Sequence, residues 1–173
     1  MLILLKIGFY ISNHKYGLFV LINGVNQYMI NLVINLLIVI ITLLLLNNNA
    51  KKVRKYIQSV AAILLIVFLF INHGFSYGDK VYFFFQSPDH TKTLVAEENS
   101  FLLGGWCDFY EQKGIFIKKI GGRITTDDGF RPFSSDYYKL SWLDNSTVEI
   151  YYNYGSGAGS SPVYKTTTIH LWE

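Results

Sequence analysis

The stretch "TTDDGFRPFSSD", residues 125–136, collects the side chains best suited to chemistry: Asp127, Asp128 and Asp136 in company with Arg131. Clustered carboxylates and carbonyls suit a hard cation such as calcium, yet the ligand spacing of a known calcium loop is absent. Asp-Asp-Gly is also ordinary turn chemistry where φ becomes positive, and Pro132 punctuates the next strand, so the segment reads first as a turn and second as a candidate ligand loop. Glu97 and Glu98 are neighbours on a predicted strand and point to opposite faces, which argues against a paired acid and base. His14, His73, His90 and His170 are scattered, without the spacing of a zinc site. Ser, His and Asp occur without a G-x-S-x-G elbow. The glycine-rich "GSGAGSSP", Gly155 to Pro162, follows a strand, but no helix follows it to bind a phosphate, so it reads as a hairpin loop. Cys107 is alone, which excludes an intrachain disulfide; Trp106 before it is too large for a lipid-attachment box, and a core thiol on a strand is expected. The chain is therefore expected to be no enzyme and to carry no cofactor or metal.

The elements that must position these residues fall into two unlike parts. Residues 1–72 hold six Lys or Arg and no Asp or Glu, whereas all twelve acids lie in residues 73–173. The basic residues flank or interrupt apolar runs and form no groove-sized patch, so nucleic acid is excluded as a partner. The runs from Tyr28 to Leu46 and from Tyr56 to Ile71 are free of charge and long enough for the roughly 30 Å of a bilayer's hydrocarbon, which predicts a transmembrane helical hairpin over 28–72. Between them, in the loop 47–55, stand Lys51, Lys52, Arg54 and Lys55. Short loops rich in Lys and Arg stay on the cytoplasmic side, so these four residues are expected to set the topology and to leave residues 73–173 outside the membrane.

Residues 1–27 are expected to lie along the membrane interface, with Lys6 and Lys15 reaching water. A third span would put Asn13, His14 and Lys15 near the bilayer centre, at about 2.5–3.5 kcal/mol for the lysine alone. No A-x-A-type cleavage site marks the segment as a signal peptide. In the first long helix Asn31, Asn35 and Thr42 share a face. In an antiparallel hairpin Thr42 falls level with Ser59, beside Ala61 and Ala62, whereas Asn35 falls level with Ile66 and finds no polar partner. Asn35 is therefore the candidate for helix association, with a second copy of the chain or with the N-terminal segment, or else it is a tolerated lipid-facing amide.

After residue 72 the grammar changes. Twenty-one of the last 101 residues are aromatic, and alternation replaces helical periodicity. Tyr138, Leu140 and Trp142 alternate with polar residues, Asp144-Asn145-Ser146 supplies a turn, and Val148, Ile150, Tyr152 and Tyr154 alternate again, a β-hairpin. Further strands are predicted at about 80–86, 93–99, 101–112, 115–120 and 163–172. The fold class expected is an α+β membrane protein, a transmembrane helical hairpin followed by an extracytoplasmic antiparallel β-meander of six or seven strands over 73–173.

"SPDHTKTLVAEENSFLLGGWCDFYE" and "TTDDGFRPFSSDYYKLSWLDNSTVEIYY" resemble a domain of unknown function in small membrane-anchored proteins of Gram-positive Firmicutes, with S-P-D-x-x-K-T-L-V-x-E-E and T-D-D-G-F/Y-x-P-F motifs over roughly residues 86–154. The resemblance implies a β-domain outside a cell membrane and no particular activity. Two function classes are open. In one, the β-domain with its rings and the loop of Asp127, Asp128, Arg131 and Asp136 is an interaction or sensing module, with the lipid bilayer and an envelope protein, peptide or polymer as partners. In the other, the helical hairpin itself protects the membrane, as bacteriocin-immunity proteins do. An envelope hydrolase, a third class, would need Asp127, Asp128 or His170 to be essential.

Overall fold

The structure is a computed structural model that describes residues 1–47, 51–77, 80–155 and 161–172. The inner turn of the expected hairpin at 48–50 and most of the glycine-rich loop, 156–160, lie outside the described residues. The protein is α+β. Helix α1 (Leu2–Tyr16) leads into strands β1 (Leu18–Ile22) and β2 (Val25–Asn26), helices α2 (Gln27–Asn47) and α3 (Lys52–Tyr77), and then eight strands. These are β3 (Val81–Gln86), β4 (Thr93–Phe101), β5 (Gly104–Lys113), β6 (Phe116–Lys119), β7 (Ile124–Thr126), β8 (Tyr138–Trp142), β9 (Thr147–Asn153) and β10 (Tyr164–His170).

Among the described residues α2 and α3 are the two helices long and apolar enough to cross a membrane, about 32 and 39 Å at 1.5 Å per residue. Unlike the core helices of a soluble protein, they leave most of their apolar side chains exposed, with Leu44, Leu45, Ile63 and Leu64 between 60% and 73% accessible. The start of α2 is fixed by Asn26, whose Oδ1 accepts the backbone N–H of Met29 at 3.1 Å, an N-cap. Ala61 and Ala62 line the seam between the two helices opposite Thr42. The Thr42 hydroxyl donates to the carbonyl of Ile38 in its own helix at 2.7 Å.

Residues 1–27 hold α1 and the two short strands β1 and β2. α1 runs antiparallel along α2, because Asn13 and Gln27 face each other at one end and Lys6 and Asn35 at the other. Gly17, at φ 60°, ends the helix in the left-handed conformation, which places Asn13, His14 and Lys15 at its end and not at its middle. At 15 residues, about 22 Å, it is shorter than α2 and α3. β1 and β2 then belong to the sheet of the β-domain. Phe19 stands opposite Ile117, nearly a hundred residues away, so that sheet begins before the helical hairpin and not at residue 73.

All strand pairs are antiparallel. The larger sheet has the order β2-β1-β6-β5-β4-β3, with β7 also on β5; the smaller is β10-β9-β8. The strands are thus divided between two sheets and not joined in one meander. β5 shares a single edge between β6 and β7, and the bend between those two contains Gly122 at φ 91°. The expected hairpin at 138–154 forms, with Leu140 opposite Ile150 and Trp142 opposite Val148. Its turn is held by Asp144, which accepts the N–H and hydroxyl of Ser146 at 2.7 and 2.8 Å.

The main core lies between the sheets. Leu94, Ala96, Cys107 and Phe109 of the larger sheet pack on Val148, Ile150, Tyr152 and Ile169 of the smaller, with Phe133 inserted from the loop between them. The opposite face of the larger sheet carries a smaller core, Leu21, Val95, Tyr110 and Ile117, and beside it a charged cleft.

Candidate functional site

Alternation along β4 and β5 builds this cleft. Val95, Glu97 and Asn99 share one face, and their cross-strand partners Tyr110, Asp108 and Trp106 share it with them. Lys119 joins from β6, where it pairs with Tyr110, and Arg123 comes from the bend before β7. The first turn of α2 and the end of α3 close the opposite side with Tyr28 and Phe75, leaving a cleft of about 470 Å³.

Two buried carboxylates organise the floor. Asp108, 4% exposed, accepts Arg123 Nε at 2.8 Å and a guanidinium NH2 at 2.6 Å, and Lys119 Nζ lies 3.0 Å away. Burial alone would raise the Asp108 carboxyl, but hydrogen bonds from Arg123 and Lys119 outweigh it and hold the group below its ordinary 3.8. The hydrogen bond to Asp108 in turn raises Arg123. Glu97, directly opposite Asp108, accepts Lys80 Nζ at 2.6 Å and the Tyr82 hydroxyl at 2.8 Å. Tyr82 in turn accepts from Asn26 at the head of α2, and Lys80 lies 4.5 Å from the centre of the Tyr28 ring, so the network ties the sheet to the helix. Burial, followed by the charges of Glu97 and Asp108, pushes the Tyr110 phenol far up, and it stays neutral.

Every carboxylate oxygen at this floor already has a cationic or phenolic partner, so neither acid is poised as a general base. Asn99 differs. It is 6% exposed, it lines the cleft, and its Oδ1 has no hydrogen-bond partner among the described residues. A buried acceptor of this kind costs roughly 1–3 kcal/mol unless a donor reaches it.

The loop with Asp127, Asp128, Arg131 and Asp136 does not line this cleft. Asp127 holds a turn, accepting the N–H of Asp128 on Oδ1 at 3.0 Å and that of Phe130 on its carbonyl at 2.9 Å. Asp128 and Asp136 take positive φ, 50° and 57°, and all three acids are exposed. Arg131 Nε donates to Ser100 at 3.0 Å. The segment is drawn down by Glu98, 1% exposed, whose carboxylate accepts Phe133 N at 2.8 Å and Ser134 N at 3.0 Å, and this seats Phe133 in the core. Glu97 and Glu98 do face opposite ways, one to the cleft and one to the core. Among the described residues no three His, Cys, Asp or Glu side chains converge to hold a metal ion.

Lys51 directly precedes α3, Lys52, Arg54 and Lys55 lie in its first turn, and all four are exposed. Asn35 Oδ1 accepts Lys6 Nζ of α1 at 2.5 Å, and both line a polar cavity of about 280 Å³ with Asn31, Asn72 and His73. The Cys107 thiol, 1% exposed, is pushed well up by burial and then by Glu98, Asp108 and Glu97, which makes it inert as a nucleophile.

The sequence does not mark Lys80, Glu97 with Asp108, Asn99, Lys119 and Arg123 as one site. One signal was present: Glu97 is in phase with Val95 and Asp108 with Tyr110, so each acid falls on an apolar face of its strand. Compared with known proteins, the chain matches no family model, no curated protein and no solved structure.

Proposed function

We propose that the protein is a non-catalytic, membrane-anchored binding module. In this reading α2 and α3 cross a cell membrane with Lys51, Lys52, Arg54 and Lys55 on the cytoplasmic side, and the β-domain stands outside with its charged cleft at the outer interface. The observation that carries the reading is the position of that cleft, between the sheet and the ends of both apolar helices, with a buried unpartnered acceptor in its wall. The resemblance of residues 86–154 supports the same placement. Binding is favoured over catalysis because the acids are neutralised by fixed cations.

Two measurements test it. In sealed right-side-out vesicles a membrane-impermeant maleimide is expected to label Ser135→Cys and to spare Val53→Cys; the reverse pattern would overturn the orientation. Native mass spectrometry of the full chain in mild detergent is expected to show a retained small molecule that Trp106→Ala loses, and a wild-type protein that carries nothing would count against a binding module.

A further inference from the structure

The donors and acceptors of the cleft do not balance, and the imbalance describes a ligand. Three cations, Lys80, Lys119 and Arg123, face two acids, Glu97 and Asp108, an excess of one positive charge. Arg123 gives Asp108 two of its five N–H donors and Lys119 gives one of three, and the two side chains are 52% and 43% exposed, with donors left for an anion. Asn99 Oδ1, on the same face and two residues along β4 from Glu97, needs a donor in return. Strand geometry sets the two positions roughly 7 Å apart. A single negative charge with a hydroxyl a few ångströms away meets both demands. A zwitterionic head would leave the excess charge uncompensated.

The rim is apolar. Phe101, Leu102 and Leu103 at the β4–β5 turn are 51%, 83% and 75% exposed, and the Phe101 ring lies edge-on to Phe75 near the end of α3, with centroids 6.3 Å apart. A greasy hairpin tip beside the end of an apolar helix is continuous with the surface that helix offers to lipid, so a chain attached to the head has a path out of the cleft.

We propose that the cleft binds a glycerol phosphodiester head of net charge −1, with the phosphate on Arg123 and Lys119 and a glycerol hydroxyl donating to Asn99 Oδ1. The inference rests on the binding-module reading. Two sources share this chemistry, a membrane lipid and a soluble glycerophosphodiester, and the experiment separates them. The full chain in mild detergent is offered equal amounts of phosphatidylglycerol and phosphatidylcholine, retention is counted by native mass spectrometry, and glycerophosphoglycerol is titrated separately against tryptophan fluorescence.

Wild type is expected to prefer phosphatidylglycerol by about tenfold, the worth of one partly screened charge pair. Asn99→Asp, which sets a carboxylate against the phosphate, is expected to erase the preference, and Asn99→Leu to weaken it. If Asn99→Asp fails to fold, Asn99→Leu carries the comparison. A response to glycerophosphoglycerol without a lipid preference supports the same chemistry with a soluble source. A preference unchanged in the Asn99 variants overturns the proposal, because the lipid is then held elsewhere, as does the absence of any response to either probe. Labelling that places the sheet on the inner side would sink the orientation while leaving the headgroup preference standing, so the two failures are distinguishable.

Discussion

Asp108 is the residue on which the cleft depends most, and Asp108→Asn tests the account of it. The substitution keeps the shape, but it replaces one acceptor oxygen by an amide that faces the guanidinium NH2 now 2.6 Å from Oδ2, donor against donor, and removes the counter-charge of Lys119. Stranding the partner of a fully buried ion pair costs about 3–5 kcal/mol, whereas an exposed pair contributes at most about 1 kcal/mol. Here the acid is buried and the bases are about half exposed, so water recovers part of the loss and about 2 kcal/mol is expected. For a chain of this size that is a fall in Tm of about 4–8 °C, read by tryptophan fluorescence of the full chain in nanodiscs at pH 7. The pH dependence gives the sharper criterion. Because Asp108 is held below its ordinary 3.8, its stabilisation is complete above that value and is lost as pH falls through the lowered folded value. The gap between wild type and variant must therefore close in strong acid. An unchanged Tm at neutral pH, or a gap that persists when the acid is protonated, would refute the argument.

Three further outcomes are expected. Phe133→Ala empties a site that is 1% exposed among Phe83, Phe85, Phe109 and Tyr138, and should destabilise the β-domain by about 3–5 kcal/mol, seen as early proteolytic cleavage between residues 127 and 137. Gly105→Ala places a Cβ 2.1 Å from Thr126 Oγ1 and 2.7 Å from the Phe130 carbonyl, so it should loosen the β5–β7 pair, and amide exchange at residues 105–107 should rise while β9 stays protected. Lys6→Leu removes the partner of Asn35 and should weaken the α1–α2 contact by about 0.6 kcal/mol, detected as a fall in cross-linking between cysteines placed on the two helices, and unchanged cross-linking would count against a role for that bond.

Much of the fold was legible in local pattern. The 138–154 hairpin forms in the expected phase because a strand with one face on the core repeats every two residues, and Val148, Ile150 and Tyr152 are all buried. α2 and α3 were legible for a different reason: an uninterrupted apolar run of that length has few alternatives. β1, "LFVLI", was not legible, because five continuous apolar residues carry no period and its partner β6 lies about a hundred residues later. β7 is three residues long, too short for alternation to show. The Asp-rich loop attracted notice as a ligand site through its carboxylates, yet its place is decided by Phe133 and by the N–H groups bound to Glu98, which composition does not reveal.

The sequence by itself determined where charge is absent and where apolar residues alternate, and so the helices, most strands and the facing of Glu97 away from Glu98, since these depend on neighbours only. The cleft was decided by tertiary structure alone. Lys80, Asp108, Lys119 and Arg123 come from separate strands or the bends beside them, and they meet Tyr28 and Phe75 only after the sheet docks on the helix ends. Such a meeting has no fixed spacing along the chain, because register and packing between distant segments set it.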